Sequence, residues 1–400
     1  MSREVRQYFS DLGAAVERRW EQLGHGPSSL ADAATLALQE VPAGTHVGAV
    51  AILEHALGSD LPTEQSRLSD EFGQPPLTLY SAPDFFIQAL TWIDGTTAVH
   101  QHAFDGAFAV AEGASLHVPY RFSPKEVSSE GHLVAGDLVM GEPEVLRPGA
   151  VRSIGAGFGF VHALFHLERP TVTIVVRNVS SSLPYPQYNF LRPGLGYDAL
   201  WSDRVVGKRL QALGALHRIA PSRASQECHD LIVDGNPWVA FLALRDTLTR
   251  LGWTHETADL VAILSRRLGG LVGECLLPAL RDELVQRNVL LRRGLLHGPH
   301  QRLFLALLAN LPDQTAMSRV VASLYPDREP GFVVLDWIAE LASSDFRSVS
   351  GLRLTDEQLR ALEHRRNGLV PLDQTDLGAV LRAIVGEGES PMLLKDLLSS

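Results

Sequence analysis

The feature that most constrains the fold is a run of short strand-like segments between residues 77 and 177. Eight segments rich in β-branched and aromatic residues alternate with glycine, proline and aspartate. They cover residues 77–80, 85–93, 97–102, 108–111, 115–122, 132–140, 160–167 and 171–177. Many short strands separated by closely spaced turns are typical of an antiparallel sandwich or barrel.

Both flanks of this run have a helical period instead. Apolar residues recur three and four positions apart over residues 3–57, until Pro75 and Pro76 end the pattern. The helical period returns at about residue 203 and continues to the end. The sequence thus predicts an α+β protein with four parts: an N-terminal helical segment at 1–74, a β-barrel at 75–180, a linker packed on the barrel at 181–202, and a large C-terminal helical domain at 203–400.

Composition narrows the classes of function. A length of 400 residues favours at least two domains. The net charge of −11 disfavours general nucleic-acid binding, which needs basic side chains on phosphates. Two cysteines, Cys228 and Cys275, form no disulfide framework and suit a reducing compartment. The chain has neither a long apolar run nor the apolar core of a signal peptide, so we expect a cytoplasmic protein without a membrane span.

Two histidine pairs fall within the strand-like region. His100 and His102 are two positions apart, and His162 and His166 are four apart. Side chains at both spacings share one face of a strand. Imidazoles gathered on one inward face can hold a single metal ion. The alternative is that these are strand histidines that hold no metal.

The first pair resembles the first motif of the cupin superfamily, in which a glycine precedes H-x-H by a few residues. This chain has Gly95 followed by His100 and His102. The resemblance covers residues 75–180. It implies an antiparallel barrel of the double-stranded β-helix type that holds a metal ion.

The second pair resembles the second cupin motif, P-x-G-x-x-H followed by asparagine. Gly157 stands in place of the proline, Gly159 and His162 match, and His166 stands where the asparagine normally falls. The resemblance implies a metal bound by His100, His102 and His162. His166 is then an additional ligand or a residue that hydrogen-bonds a ligand.

The chain departs from the cupin pattern at the ligand that is usually glutamate. Gly106 and Ala107 occupy that place and cannot bind a metal, and Asp105 comes one residue early on the other strand face. A three-histidine site is similar to that of the thiol dioxygenases, such as cysteine dioxygenase, which hold ferrous iron. The barrel region has no cysteine for the cysteine–tyrosine crosslink that some of them carry.

A small polar or carboxylate-bearing substrate needs an opposite charge in the pocket. Arg177 and Arg121 are the candidates, with solvated strand ends as the alternative reading, and Tyr120 is a candidate pocket hydroxyl. Other aromatic residues that could line the pocket, with ordinary core packing as the alternative, are Tyr80, Trp92, Phe108 and His117.

The sequence therefore predicts a metal-dependent cupin enzyme, expected to be a non-haem Fe(II) dioxygenase that acts on a small polar molecule with dioxygen. One alternative is a redox-neutral isomerase, lyase or hydrolase that uses zinc, manganese or nickel, because imidazole binds all of these ions. Others are a ligand-sensing protein without catalysis and a metal-free structural barrel. For the helical domain, a lid over the pocket, a homodimer interface and a binding site for a protein partner stay open.

Overall fold

The structure, a computed structural model, describes most of the chain up to residue 342. The described residues are 2–26, 29–58, 61–63, 65, 73–93, 97–179, 183–296, 298–311, 314–342 and 360. Gly95 of the first motif and much of the predicted helical domain beyond 342 lie outside them. The described residues form two compact units, one within 1–121 and 140–187 and the other within 122–139 and 188–400.

Twelve strands follow three N-terminal helices in the part of the chain that the structure describes. The helices are α1 (Ser2–Gln22), α2 (Leu30–Glu40) and α3 (Ala49–Gly58). The strands are β1 (Pro76–Ser81), β2 (Phe85–Trp92), β3 (Val99–His102), β4 (Gly106–Glu112), β5 (Ser115–Val127), β6 (Leu133–Met140), β7 (Glu144–Leu146), β8 (Val151–Ile154), β9 (Gly157–His166), β10 (Thr171–Asn178), β11 (Tyr188–Leu191) and β12 (Leu195–Asp198).

The first unit contains an antiparallel sheet in the order β1-β2-β10-β4-β8. The N-terminal helices cover one face of this sheet. Phe9 and Leu12 of α1 and Leu38 of α2 are buried in one cluster with Ile87 of β2 and Ile174 of β10. The first unit therefore includes the N-terminal helices, and their apolar side is buried against strands of the barrel.

Strand alternation sorts the side chains of β10 between two apolar clusters. Ile174 and Val176 belong to the cluster shared with the helices. Val175 belongs to a second cluster with Phe108 of β4. Because successive side chains of a strand point to opposite faces, Arg177 lies on the same face as Val175. The first sheet therefore presents Arg177 on its face away from the helices.

The second sheet of this unit brings the histidine strands together. Its strands run in the order β3-β9-β5-β7 and pair antiparallel. β9 pairs on one side with β3 and on the other with β5, so it lies between the strand of His100 and the strand of His117. Long-range strand pairing thus brings together residues as far apart in sequence as His100 and His162.

The second unit combines β6, β11 and β12 with helices. β11 pairs with β12, and β12 pairs with β6. A buried cluster that includes Trp238, Phe241, Leu244, Leu264 and Leu276 forms its core. The helices are α4 (Arg204–Ile219), α5 (Pro221–Asp234), α6 (Pro237–Leu251), α7 (His255–Leu268), α8 (Gly270–Leu295), α9 (Pro299–Asn310), α10 (Gln314–Leu324) and α11 (Pro330–Ala342).

The predicted α+β class is confirmed: the chain has an antiparallel barrel, N-terminal helices and a large C-terminal helical region. Each of the eight predicted strand segments overlaps a strand of the structure. Four short strands, β7, β8, β11 and β12, were not predicted, and the last two form a hairpin within the segment 181–202. Within the described residues, none of the helices has the length and apolar character needed to cross a membrane.

Candidate metal centre

Three of the four predicted histidines converge in the barrel. His100 pairs directly with His162 across β3 and β9, and the register shifts between Gln101 and His102. The side chains of His100, His102 and His162 are buried, and each offers one ring nitrogen within 4.8 Å of the others. Among the described residues this is the group of three or more histidine, cysteine, aspartate or glutamate side chains that could hold a metal ion.

The hydrogen bonds of these rings indicate which nitrogen faces the others. His100 Nδ1 lies 2.8 Å from the carbonyl oxygen of Ala98, which can only accept, so Nδ1 carries the hydrogen and Nε2 is the nitrogen left to bind a metal. His162 Nδ1 lies 3.1 Å from His117 Nε2, and His162 Nε2 lies 3.0 Å from His102 Nε2. The Nε2 atoms are therefore the expected ligand atoms.

The distance between these atoms fits one shared ion. Two imidazole nitrogens that each lie about 2.1 Å from an ion, at an angle near 90°, are separated by about 3 Å. The Nε2 atoms of His102 and His162 are 3.0 Å apart. A metal ion bound here would also accept a lone pair from each of these two nitrogens. Without the ion, the two lone pairs face each other unless a proton lies between them.

Burial keeps the three imidazoles neutral, which is the form that binds metals. Burial lowers the pKa of His100 to about 4, against the opposing hydrogen bond to Ala98. Burial is also the largest cause that holds the pKa of His102 and of His162 well below the ordinary value, and repulsion from the neighbouring imidazoles adds to it.

These shifts predict acid-sensitive stability of the metal-free protein. The folded pKa of His100 lies below the unfolded value of about 6.5, so the unfolded chain binds more protons and the free energy of unfolding falls with decreasing pH. From pH 7 to pH 5, we expect His100 alone to lower that free energy by about 2 kcal/mol. Urea unfolding in chelator should show a correspondingly shallower pH dependence for His100→Asn. Equal pH dependence in the two proteins would contradict the burial of a neutral His100.

His166 lies four positions after His162 on β9 and is not a member of the three-histidine group. Its Nδ1 is 2.9 Å from the hydroxyl of Ser115, and its ring stacks on Trp92 at a centroid distance of 4.2 Å. Trp92 Nε1 in turn donates a hydrogen bond to the hydroxyl of Thr173. The ring of His166 is thus fixed by polar and aromatic contacts, and a ligand role for it stays a prediction.

Arg177 is the predicted arginine that lies near the metal group. Its positive charge contributes to the lowered pKa of His102. Its guanidinium carbon lies 3.9 Å from the ring centroid of Phe104 and 5.1 Å from that of Phe86. Nε is buried, and no hydrogen bond or ion pair links this guanidinium to the residues that the structure describes. Burial lowers the pKa of Arg177 to about 10, so it stays charged at neutral pH.

The other polar residues considered in the sequence, Arg121, Tyr120 and Asp105, do not join the three-histidine group. Arg121 is exposed. Tyr120 pairs with Val161, one position away from the pair of Pro119 with His162, so its side chain lies on the opposite face of the sheet. The Asp105 carboxylate accepts a hydrogen bond of 2.9 Å from the backbone nitrogen of Ala156, and it lies outside the metal group.

The sequence did not reveal a series of hydrogen-bonded polar side chains that runs from the barrel surface to the three-histidine group. His117 was considered as a pocket or core residue, and Glu144 and Arg152 were not singled out. His117 Nδ1 is 2.9 Å from Glu144 Oε1, and Arg152 Nε donates to the same oxygen at 2.8 Å. His117 could have been noticed as a histidine on a third strand, but its partner Glu144 lies on β7, a strand too short to have a sequence pattern of its own.

Comparison with known proteins finds distant structural matches alone. No protein-family model and no curated protein sequence matches the chain. Matches among solved structures include a cupin-2 domain containing protein from Shewanella frigidimarina, with 15% identity over 26% of this chain and 81% of that chain and a TM-score of 0.18. A structure of the DMSP lyases RdDddP and RnDddQII has 14% identity over 46% of this chain and 96% of that chain, with a TM-score of 0.26.

A third match is hydroquinone 1,2-dioxygenase from Sphingomonas sp., with 11% identity over 28% of this chain and 68% of that chain and a TM-score of 0.20. At such TM-scores the matches carry no argument about the reaction of this chain.

Proposed function

We propose that the chain is a metal-dependent enzyme, a non-haem Fe(II) oxygenase that acts on a small molecule bearing an anionic group. The observation that carries the proposal is the buried group of three neutral imidazoles, His100, His102 and His162, with the charged Arg177 beside it. Metal-binding groups on strands of a packed barrel are held rigidly, as a catalytic metal requires.

A set of three histidine ligands is typical of a catalytic metal ion rather than a structural one. Structural zinc sites usually have four protein ligands, whereas catalytic sites have three and keep positions open. His100, His102 and His162 would hold Fe(II) with three imidazoles, and the ion would then supply open-site oxygenase chemistry on a substrate and dioxygen. The protein residues hold the ligand nitrogens in place and exclude bulk water, because all three rings are buried.

Arg177 supports an anionic substrate. The Arg177 side chain is half-buried, and its buried Nε has no hydrogen-bond partner among the described residues; this is costly, because a charge removed from water needs an opposite charge or hydrogen bonds. Its contacts with Phe104 and Phe86 offset part of this cost and hold the side chain in place. A substrate carboxylate bound to Arg177 would supply an acidic partner, which none of the described residues provides, through two parallel hydrogen bonds and would fix the substrate beside the metal group.

A redox-neutral isomerase or lyase is the second candidate. The observation that favours it is the donor set itself, because three imidazoles suit Zn(II), Mn(II) and Ni(II) as well as Fe(II). Under this alternative Arg177 would still bind the anionic group of the substrate, so the two candidates differ in the metal and in dioxygen consumption.

An oxygen-electrode screen tests the proposal. The protein is loaded anaerobically with Fe(II) and given small thiols, amino acids and aromatic acids, each beside its uncharged amide or ester. We expect dioxygen uptake with an acid and little with its amide. Arg177→Met is expected to lower kcat/KM by about 100-fold, since it removes a charge-assisted hydrogen-bonded pair worth a few kcal/mol. The exposed Arg121→Met variant is the matched control and should retain activity.

Turnover with Zn(II), Mn(II) or Ni(II) and without dioxygen uptake would support the redox-neutral alternative. Equal activity of acids and amides in the wild type, together with an unaffected Arg177→Met variant, would contradict the anionic substrate.

A further inference from the structure

We propose that His117 and Glu144 are positioning residues of the metal centre, which hold the His162 ring in the tautomer and orientation that present Nε2 to the ion. This inference rests on the proposed metal site, but not on the reaction that the ion supports. It concerns three side chains, His117, Glu144 and Arg152, which we call the β5–β7–β8 relay after the strands that carry them.

The strand register builds this relay. β5 pairs with β9 on one edge, where Pro119 is opposite His162 and His117 is opposite Leu164. On its other edge β5 pairs with β7, where His117 is opposite Glu144. His117 is therefore the residue of β5 that can contact a metal-group histidine through one ring nitrogen and a carboxylate through the other. The two distances are 3.1 Å to His162 Nδ1 and 2.9 Å to Glu144 Oε1.

The carboxylate of Glu144, at the outer end of the relay, determines which ring nitrogens of the relay carry a hydrogen. An ionised carboxylate can only accept, so His117 Nδ1 carries a hydrogen and donates it to Glu144. In a neutral His117 the other nitrogen, Nε2, is then an acceptor. His162 Nδ1 must therefore donate to it, which leaves the lone pair of His162 on Nε2, the atom that lies 3.0 Å from His102 Nε2.

Arg152 fixes the outer carboxylate. Its Nε donates to Glu144 Oε1 at 2.8 Å, its Nη2 donates to Glu144 Oε2, and its Nη1 donates to the carbonyl oxygen of Val151. The hydrogen bonds from Arg152 are the largest cause that holds the pKa of Glu144 below its usual value, so Glu144 is an ionised acceptor at neutral pH. This two-point pairing restricts the carboxylate to one orientation.

The relay residues differ in how deeply they are buried. A role in positioning the His162 ring can therefore be tested separately from a role in folding. The His117 side chain is 3% exposed, whereas those of Glu144 and Arg152 are 37% and 35% exposed. Substitutions at Glu144 therefore act on the outer, solvated end of the relay and should have little effect on the packed interior. In metal sites, partners that orient a ligand imidazole typically contribute 10- to 100-fold to metal affinity.

The test uses Co(II) as a spectroscopic probe in the full chain. Glu144→Leu removes the acceptor at similar size, and Glu144→Gln retains a carbonyl oxygen that can accept from His117. Metal affinity is measured by chelator competition, the coordination by the visible absorption of the Co(II) protein, and the fold by thermal unfolding. We expect Glu144→Leu to bind Co(II) about 10- to 100-fold more weakly with a changed spectrum, and Glu144→Gln to recover most of the affinity.

The matched control is His132→Gln. His132 Nδ1 lies 3.0 Å from Asp198 Oδ2, which is a histidine–carboxylate pair of the same kind in the other unit. This variant should leave Co(II) affinity and spectrum unchanged. If Glu144→Leu retains wild-type affinity and spectrum, the relay is not a positioning device and the inference is overturned, whereas the metal site stands. If the wild-type chain binds no Co(II), the metal site and this inference fail together.

Discussion

A double variant, His100→Ala and His102→Ala, is expected to purify without bound metal, whereas the wild-type chain carries about one equivalent per chain. The variant keeps one of the three ligands that lie within 4.8 Å of one another. Binding free energies of about 10 kcal/mol or more for four-ligand sites imply about 3 kcal/mol per ligand, so the loss of two ligands weakens affinity by about four orders of magnitude. Elemental analysis after anaerobic purification, followed by chelator competition, measures both quantities.

His166→Ala tests the fourth predicted histidine in the same experiment. Its ring contacts Ser115 and Trp92 and lies outside the three-histidine group, so this variant should retain about one equivalent of metal. Roughly one equivalent of iron in the wild type would support the oxygenase proposal, and zinc, manganese or nickel would favour the redox-neutral candidate. Full metal content in the double variant, or no metal in either protein after reconstitution, would contradict the three-histidine site.

The second large effect is expected from Gly106→Glu, which introduces the carboxylate that the cupin motif usually carries. A Cβ atom at this position would lie 2.0 Å from the backbone oxygen of Val176 and 3.1 Å from the α-carbon of Arg177. Val176 lies in a central strand of the first sheet, so the clash must be relieved by moving paired backbone. We expect the free energy of unfolding to fall by about 3 kcal/mol or more, without any gain in metal affinity.

Gly159→Ala is the matched control, at a glycine of the second motif. A Cβ atom there would have its nearest neighbour, the carbonyl oxygen of Ala156, at 3.8 Å, which is an ordinary contact. Urea unfolding of the metal-free proteins should therefore separate the two variants clearly. A stable Gly106→Glu protein that binds metal more tightly would show that β4 can shift to accept a fourth ligand.

The missing carboxylate has a structural explanation that the motif alone does not supply. The sequence shows that Gly106 and Ala107 cannot bind a metal, but it does not show what else occupies their surroundings. In the fold, β10 approaches β4 so closely at Gly106 that a side chain has no room. The three-histidine set therefore reflects strand packing as well as the choice of residues.

The local patterns of the sequence determined most of the secondary-structure elements and one histidine pair of the candidate site. Period-two alternation located the eight longer strand segments, and helical periods located the flanking helices, because both signals depend on neighbours within a few residues. The same local rule placed His100 and His102 on one face of a strand. Short strands such as β7 and β8 were missed because three or four residues carry too little pattern.

Tertiary structure decided which residues meet. By spacing alone His162 and His166 were equivalent; the motif resemblance favoured His162, and the register of β9 places His162 opposite His100. Arg177 and Arg121 were likewise equivalent in sequence, but one lies near His102 and the other is exposed. The contact of His117 with Glu144 depends on β5 pairing with two different strands. Periodicity fixes the face on which a side chain lies, whereas its partner across the sheet depends on long-range register, which a single sequence does not encode locally.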